Sequence, residues 1–174
     1  MSLITYFLRD FSELMLSYED DVAKNVHSLI NCCPAESVST RKELLVDFRH
    51  ILATEFRGGF VPYLDSFLDE NFLMGPGRQT SESLRSLAFL TIADVVQQTR
   101  DTLNFSQISR VIYLFSKNLH DNELAASIQT TSVKILVSVA EKFASTLYDQ
   151  VGLPSSIELL NCCRFLCTRG IANS

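Results

Sequence analysis

The chain has 174 residues, a length that suits one ordinary domain or a few structural repeats. Apolar residues make up 47% of it and charged residues 20%, a composition that excludes an intrinsically disordered chain. Its 15 basic and 20 acidic residues give a formal net charge of −5. Nonspecific nucleic-acid binding needs clustered lysine and arginine, so we expect no direct nucleic-acid partner.

The cysteines and the start of the chain bear on its compartment. The five cysteines fall in two groups, Cys32-Cys33 and Cys162-Cys163-Cys167, without C-x-x-C spacing. This pattern favours reduced thiols packed as small hydrophobes over a disulfide framework. The apolar run over residues 3–8 meets two charged residues at once and is too short for an export signal or a membrane span. We expect a chain inside the cell with no membrane contact.

Helical periodicity dominates the sequence. Apolar residues recur at helical spacing almost everywhere, and no window alternates with a period of two. Capping residues, glycines and prolines then divide this pattern into successive helices. The predicted helices begin near residues 3, 21, 40, 61, 81, 106, 122 and 155.

Local signals place several helix ends in the first half. The first helix is predicted over residues 3–16, and the second runs from about Glu19 to just before Pro34. A T-x-x-E capping box, Thr40 and Glu43, is expected to start the third helix. The end of that helix is predicted at Gly58-Gly59, and Pro62 is predicted to lie in the first turn of the fourth helix.

Further signals follow in the second half. Met74-Gly75-Pro76-Gly77 predicts a loop, after which Thr80 or Ser81 is expected to cap the fifth helix. A short turn at Asn104-Phe105 leads to a sixth helix from Ser106. The remaining predicted signals are Asp121-Asn122 as the cap of the seventh helix, Gly152 and Pro154 as its end, and a last helix from about Ser155.

The helix starts predict a repeat. Taken in pairs, the helices begin near residues 3, 40, 81 and 122, and a two-helix unit of about 40 residues is the HEAT or armadillo period. The predicted fold is therefore all-α, a HEAT-like helical-repeat solenoid of about four antiparallel helix pairs over residues 1–150. Residues 151–174 form a divergent C-terminal helix or tail. A compact helical bundle is the alternative, but most helices carry apolar residues over more than one stripe.

Three stretches resemble the HEAT-repeat region of the TRRAP family, the pseudokinase scaffolds of histone acetyltransferase complexes. Their order and spacing match that family over roughly residues 20–148. The stretches read CPAES…RKELL…RHILAT over residues 33–54, ESLRSLA…ADVV over 82–96, and YLFSKNLHD…SIQTT over 113–131. Because members of that family are many times longer, the resemblance implies an internal slice of the solenoid without the pseudokinase end.

The resemblance implies a noncatalytic scaffold that acts in transcription and chromatin regulation. The expected partners are subunits of SAGA-type and related acetyltransferase complexes and transcriptional activators, and the expected location is the nucleus. The family offers no catalytic or cofactor residues to carry over. The alternative is a stand-alone cytosolic helical-repeat adaptor of an unrelated pathway, and a third reading is a small helical enzyme.

The sequence lacks the common motifs of catalytic, cofactor-binding and metal-binding sites. The chain has no G-x-S-x-G, Walker A, H-E-x-x-H or kinase motif. Asp47 and His50 share a helix face, but a metal site needs further ligands, so a solvated polar face is favoured. Gly75-Pro76-Gly77 is interpreted as an interhelical loop, and His27 and His120 lack ligand clusters. We expect no catalytic residue, no cofactor and no metal.

Charged and apolar surfaces leave two alternatives open. Four basic residues have two interpretations: a positive stripe for an acidic segment or RNA, or ordinary surface ion pairs, which we favour. They are Arg41, Lys42, Arg49 and Arg57. Arg85 is expected to pair with Asp94. The first and last helices carry broad apolar faces, which predict contact with neighbouring repeats of a longer chain or self-association. The last of these faces comprises Leu159, Leu160, Phe165, Leu166 and Ile171.

Overall fold

The computed structural model describes residues 2–34, 36–75 and 82–151, and every regular element in those ranges is helical. The prediction of an all-α chain is confirmed there. The chain forms two compact units, Met1–Leu103 and Asn104–Ser174. Within the described ranges, no helix combines the length and apolar character that a membrane crossing requires.

The first unit contains long helices separated by short irregular ones. The longer helices provide the layers, and the unit also contains three elements of 3-10 helix. Its elements are α1 (Ser2–Asp10), α2 (Ser12–Met15), a 3-10 turn (Leu16–Tyr18), α3 (Glu19–Cys32), α4 (Val38–Leu52), a 3-10 segment (Glu55–Tyr63), α5 (Leu64–Phe67), α6 (Glu70–Met74), α7 (Glu82–Thr99) and a final 3-10 turn (Arg100–Thr102).

Helices of the first unit stack in two layers. In one layer α1 packs against α4, and α4 packs against α7; in the other, α3 packs against the 3-10 segment and α6. Hydrogen bonds between stacked elements join residues 39 to 45 positions apart in the sequence. Stacking of equivalent elements at a constant sequence offset is the arrangement of a helical-repeat protein.

Phenylalanine rings fill the space between the layers. Phe48 from α4, Phe60 from the 3-10 segment and Phe67 from α5 are fully buried, with ring centroids 4.5 to 5.8 Å apart. Burying an aromatic side chain of this size stabilises a fold by about 1.5–3 kcal/mol, and paired rings add roughly 0.5–1.5 kcal/mol. This cluster is the centre of the first core.

A close backbone approach explains the glycine pair in the 3-10 segment. The Gly59 N–H donates to Oε1 of Glu19, the first residue of α3, over 2.8 Å. A Cβ atom on Gly59 would lie 2.8 Å from the Glu19 carbonyl oxygen, a distance that real Cβ atoms do not adopt. A glycine is therefore required where the segment meets the start of α3.

Several predicted boundaries in the first unit are wrong. The first predicted helix breaks at Phe11, whose φ of −132° and ψ of 35° are not helical. The predicted capping box also fails, because α4 begins at Val38 and Thr40 already lies inside its first turn. The third helix ends at Leu52, before the glycine pair, and Pro62 lies inside the 3-10 segment.

The second unit is described by α8 (Phe105–Leu119) and α9 (Ala126–Val151), which pack against each other. Asn104 and Gln107 form a capping box at the start of α8, with each side chain accepting from the other residue's backbone N–H. The helix therefore begins one residue before the predicted Ser106. Apolar residues along both helices form the core, including Ile108, Val111, Phe115, Ile128, Ile135 and Val139.

The start of α9 is later than predicted. The Asp121 carboxylate accepts from the Glu123 N–H in a turn, and the helix begins only at Ala126. Asp121-Asn122 is therefore not the helix cap. The other predicted boundary signals, Thr80, Ser81, Gly152, Pro154 and Ser155, lie outside the described residues.

Candidate interaction surfaces

The described residues bring no three His, Cys, Asp or Glu side chains together at a spacing that would hold a metal ion. Asp47 is half-buried on α4, and His50, one turn later, is exposed. Cys33 is buried as expected, but Cys32 is exposed, so the prediction of buried thiols is wrong for that residue. Cys162, Cys163 and Cys167 lie outside the described residues.

Arg41 is buried, although the sequence places it among surface charges. Its side chain is 2% exposed and lies between the C-terminal ends of α3 and α6. Nη2 donates to the Cys33 carbonyl over 2.5 Å, and Nη1 donates to the carbonyls of Phe72 and Leu73 over 3.1 Å each. Carbonyls at helix C-termini carry partial negative charge, so they attract a guanidinium without any carboxylate. Neither sequence interpretation of Arg41 is correct.

Gly75 gives this arginine its space. The residue ends α6 with a φ of +82°, a region in which side chains are disfavoured. A Cβ atom there would come within 3.1 Å of the Arg41 guanidinium carbon. The Nε atom of Arg41 is buried without a hydrogen-bond partner among the described residues. The two Nη atoms therefore make all the hydrogen bonds of this guanidinium that the structure describes.

The other three basic residues line the contact between α4 or the 3-10 segment and α7. Arg49 forms an ion pair with Asp94 over 2.5 Å, with both side chains about one-third exposed. Lys42 donates to the Ser83 hydroxyl over 2.6 Å, and Arg57 donates to Gln98 Oε1. Among these three residues, only Arg49 pairs with a carboxylate in the part of the chain that the structure describes, so the predicted ion pairing is correct for that residue alone.

Asp94 thus pairs with Arg49 instead of the predicted Arg85. Arg85 and Asp94 both belong to α7, so a contact between helices was the wrong expectation. The Arg85 guanidinium carbon lies 5.7 Å from the centroid of the Phe89 ring, a cation–π arrangement. The Arg49–Asp94 pair therefore joins α4 to α7, whereas the Arg85–Phe89 contact lies within α7 itself.

A stack of aromatic rings joins α3 to the 3-10 segment and α6. The His27 imidazole lies between Tyr63 and Phe72, with ring centroids 4.7 and 5.0 Å away and nearly parallel planes. Nε2 of His27 lies 3.1 Å from the Ser66 hydroxyl oxygen. Burial lowers the pKa of His27 below its ordinary value, because desolvation disfavours the imidazolium. The ring acts as a packed spacer between repeats.

Several large apolar side chains are exposed at the start of the chain. Leu3, Tyr6 and Phe7 share a face of α1, and Leu14 follows on α2 with 73% of its surface exposed. Rings of Tyr6, Phe7 and Phe11 form a continuous row, with neighbouring centroids 5.9 Å apart. Large contiguous apolar patches on a protein surface mark interaction sites. We call Leu3, Tyr6, Phe7, Phe11 and Leu14 the N-terminal apolar face.

Exposed apolar side chains also occur on the second unit. Phe105 and Tyr113 lie on the outer side of α8, and Val133 and Val137 lie one turn apart on α9. On each helix the opposite side forms the core, so these helices are apolar on more than one face. That is the pattern from which the sequence predicted contacts on two sides. The predicted apolar face after residue 155 lies outside the described residues.

Comparison with known proteins shows which family this sequence matches. Residues 1–163 match the family model of the Tra1 HEAT repeat central region. The chain is 39% identical over 152 residues to the human transformation/transcription domain-associated protein, covering 87% of the chain. It is 42% identical over 139 residues to a probable transcription-associated protein 1 of Dictyostelium discoideum, covering 80% of the chain.

Relatives in fungi carry more specific names. The chain is 35% identical over 144 residues, or 83% of its length, to the SAGA complex/NuA4 acetyltransferase complex subunit Tra1 of Schizosaccharomyces pombe. In each of these three relatives the match covers only 3–4% of the relative's own length. The predicted HEAT-like helical-repeat fold and the resemblance to the TRRAP family are confirmed.

Proposed function

The chain belongs to the Tra1 family, in its HEAT-repeat central region, and from this premise we propose that it is a noncatalytic scaffold segment of histone acetyltransferase complexes. The match over residues 1–163 carries the proposal. Related fungal proteins are named as subunits shared by the SAGA and NuA4 complexes. The segment would act in the nucleus, in transcription and chromatin regulation, through contacts with complex subunits and transcriptional activators.

The stacked layers support a scaffold role on physical grounds. A helical-repeat protein buries a continuous core between neighbouring helices and leaves long surfaces for partners. In the first unit, hydrogen bonds such as Arg49–Asp94 and Lys42–Ser83 join α4 to α7, the next helix of the same layer. The proposal includes a division of the chain into two parts. Residues 1–150 form helix pairs that start near 3, 40, 81 and 122, and residues 151–174 form a divergent tail.

Fractionation of native extract tests the assignment. The extract is separated by size, and fractions are probed on denaturing immunoblots with an antibody against residues 36–57. Each fraction is also assayed for histone acetyltransferase activity. The proposal predicts that the antigen elutes in large fractions together with that activity.

Affinity purification provides the decisive comparison. The tagged chain is expected to recover acetyltransferase subunits, identified by mass spectrometry, and an acetylating eluate. A matched tagged variant, Arg41→Asp, places a carboxylate against three carbonyl oxygens and should lose both through unfolding. Elution of the antigen apart from the activity, with no acetyltransferase subunit recovered by the intact chain, would overturn the proposal and favour an independent adaptor.

A further inference from the structure

The surroundings of the N-terminal apolar face are strongly acidic. Residues 1–21 contain one basic side chain, Arg9, against five acidic ones, whereas the whole chain has a formal charge of only −5. Arg9 is itself paired with Asp10, its Nε 2.9 Å from Oδ1. Most of the net negative charge of the chain is therefore concentrated in the segment that exposes the N-terminal apolar face.

The acidic side chains adjoin the apolar ones along the chain. Asp10 follows Leu3, Tyr6 and Phe7 at helical spacing, which places it on the same side of α1. Glu13 directly precedes the exposed Leu14. The remaining exposed carboxylates, Asp20 and Asp21, lie in the first turn of α3, just after the exposed Tyr18.

The apolar face is held to the first core by few contacts. Leu8 is the residue of α1 that is buried, at 2% exposure, and α1 packs with α4 on that side. The opposite side leaves Leu3 67% exposed and Leu14 73% exposed. Side chains of this size expose on the order of 100 Å² each, so the face exposes roughly 500 Å², comparable to the largest apolar patch of an ordinary monomer, which often has a function.

From this combination we infer that the N-terminal apolar face binds an amphipathic helix whose apolar stripe is flanked by lysine and arginine. An amphipathic helix inserts residues at i, i+3, i+4 and i+7 into such a surface. Basic flanks complement Asp10, Glu13, Asp20 and Asp21, and they accelerate association and select against acidic partners. A second copy of the chain would bring a second acidic rim, and anionic lipid or nucleic acid would be repelled likewise.

The inference concerns the chemistry of a partner and holds for a scaffold or an adaptor alike. Its failure is therefore distinguishable from failure of the proposed function, which depends on recovery of acetyltransferase subunits. The probe is a fluorescein-labelled peptide of about 18 residues, or five helical turns, with leucines at i, i+3, i+4 and i+7 and lysines elsewhere. Its twin carries glutamate in place of lysine.

Fluorescence anisotropy with the full chain compares the two peptides. We expect the lysine peptide to bind at least about tenfold more tightly than its twin, with the advantage shrinking as salt rises. The double variant Leu3→Ser/Leu14→Ser should weaken binding of the lysine peptide about tenfold, since two apolar side chains leave the contact. The double variant Glu13→Lys/Asp20→Lys should abolish the preference for lysine.

Controls separate this surface from general adhesion. Val137→Ser changes a similarly exposed apolar side chain on α9, and it should leave both affinities unchanged. Circular dichroism checks that each variant keeps its helix content. Equal affinity for the two peptides overturns the inference, as does retention of affinity in the Leu3→Ser/Leu14→Ser variant. Sedimentation equilibrium gives a third refuting outcome, a dimer that the same variant converts to monomer.

Discussion

Arg41 offers the sharpest test of how the first unit is held together. Its guanidinium is buried without a carboxylate and donates to three carbonyls at the ends of α3 and α6. We consider Arg41→Met, which removes the charge and the donors but keeps a long side chain in the same space. The carbonyls of Cys33, Phe72 and Leu73 then lose the partner they have in the native structure.

Two opposing effects decide the size of the change. Each buried carbonyl left without a partner costs about 1–3 kcal/mol. Arg41→Met takes the donor away from three carbonyls, so this effect destabilises the fold. Removing the charge relieves a desolvation penalty of several kcal/mol, although the negative ends of two helices already offset part of it. We expect the first effect to prevail, with a net destabilisation of about 2–4 kcal/mol.

Urea unfolding followed by far-ultraviolet circular dichroism measures this difference through the midpoint and slope. Arg41→Lys should also destabilise, because one ammonium group cannot reach both helix ends as the planar fork does. The matched control is Lys42→Met, which removes one exposed hydrogen bond to Ser83 and should change stability by less than about 0.5 kcal/mol. An Arg41→Met variant as stable as the native chain would refute the reasoning, because desolvation would then dominate.

Other predictions test other contacts of the same chain. Gly59→Ala should cost about 1–3 kcal/mol in urea unfolding, because its Cβ meets a backbone oxygen. Gly58→Ala should cost less, because its Cβ meets the end of the Glu19 side chain, which can shift at the expense of its hydrogen bond to Gly59. Asn104→Ala removes the capping box of α8 and should cost about 1 kcal/mol in the same assay, with no cost indicating that the cap is dispensable. Because burial lowers the pKa of His27, the unfolded chain binds the proton more readily, and stability should fall as pH drops below the ordinary value of 6.5. His27→Phe should flatten that part of the stability profile, and an unchanged slope would contradict the assignment.

The sequence predicts regular helices well and irregular ones poorly. Apolar periodicity locates α3 to within a residue or two, since a long helix buries one repeating face. The segment from Glu55 to Tyr63 was misread because its glycines and proline signal both an end and a start. Only the contact with Glu19, 40 residues earlier in the chain, explains why the backbone there is a tight 3-10 helix.

The surroundings of charged residues are the hardest feature to predict. Arg41 stands beside Lys42 and Glu43, and nothing local distinguishes it from an ordinary surface arginine. Its burial is set by carbonyls that lie 8, 31 and 32 positions away in the sequence. The contact expected at the apolar start of the chain can, by contrast, be predicted from the sequence, because a broad apolar stripe on a short helix is a local property.

Pairing between repeats requires a more accurate offset than the sequence provides. The helix starts predicted from capping residues give steps near 40 residues, and the hydrogen bonds between stacked elements span 39 to 45. One residue of error rotates a helical position by about 100°, so an error of two places a side chain on nearly the opposite face. Arg49 therefore meets Asp94, at an offset of 45, while an expectation from neighbouring charges paired Asp94 with Arg85. A period identifies which helices stack, but the register that selects individual partners depends on packing between residues far apart in the sequence, as in the cluster of Phe48, Phe60 and Phe67.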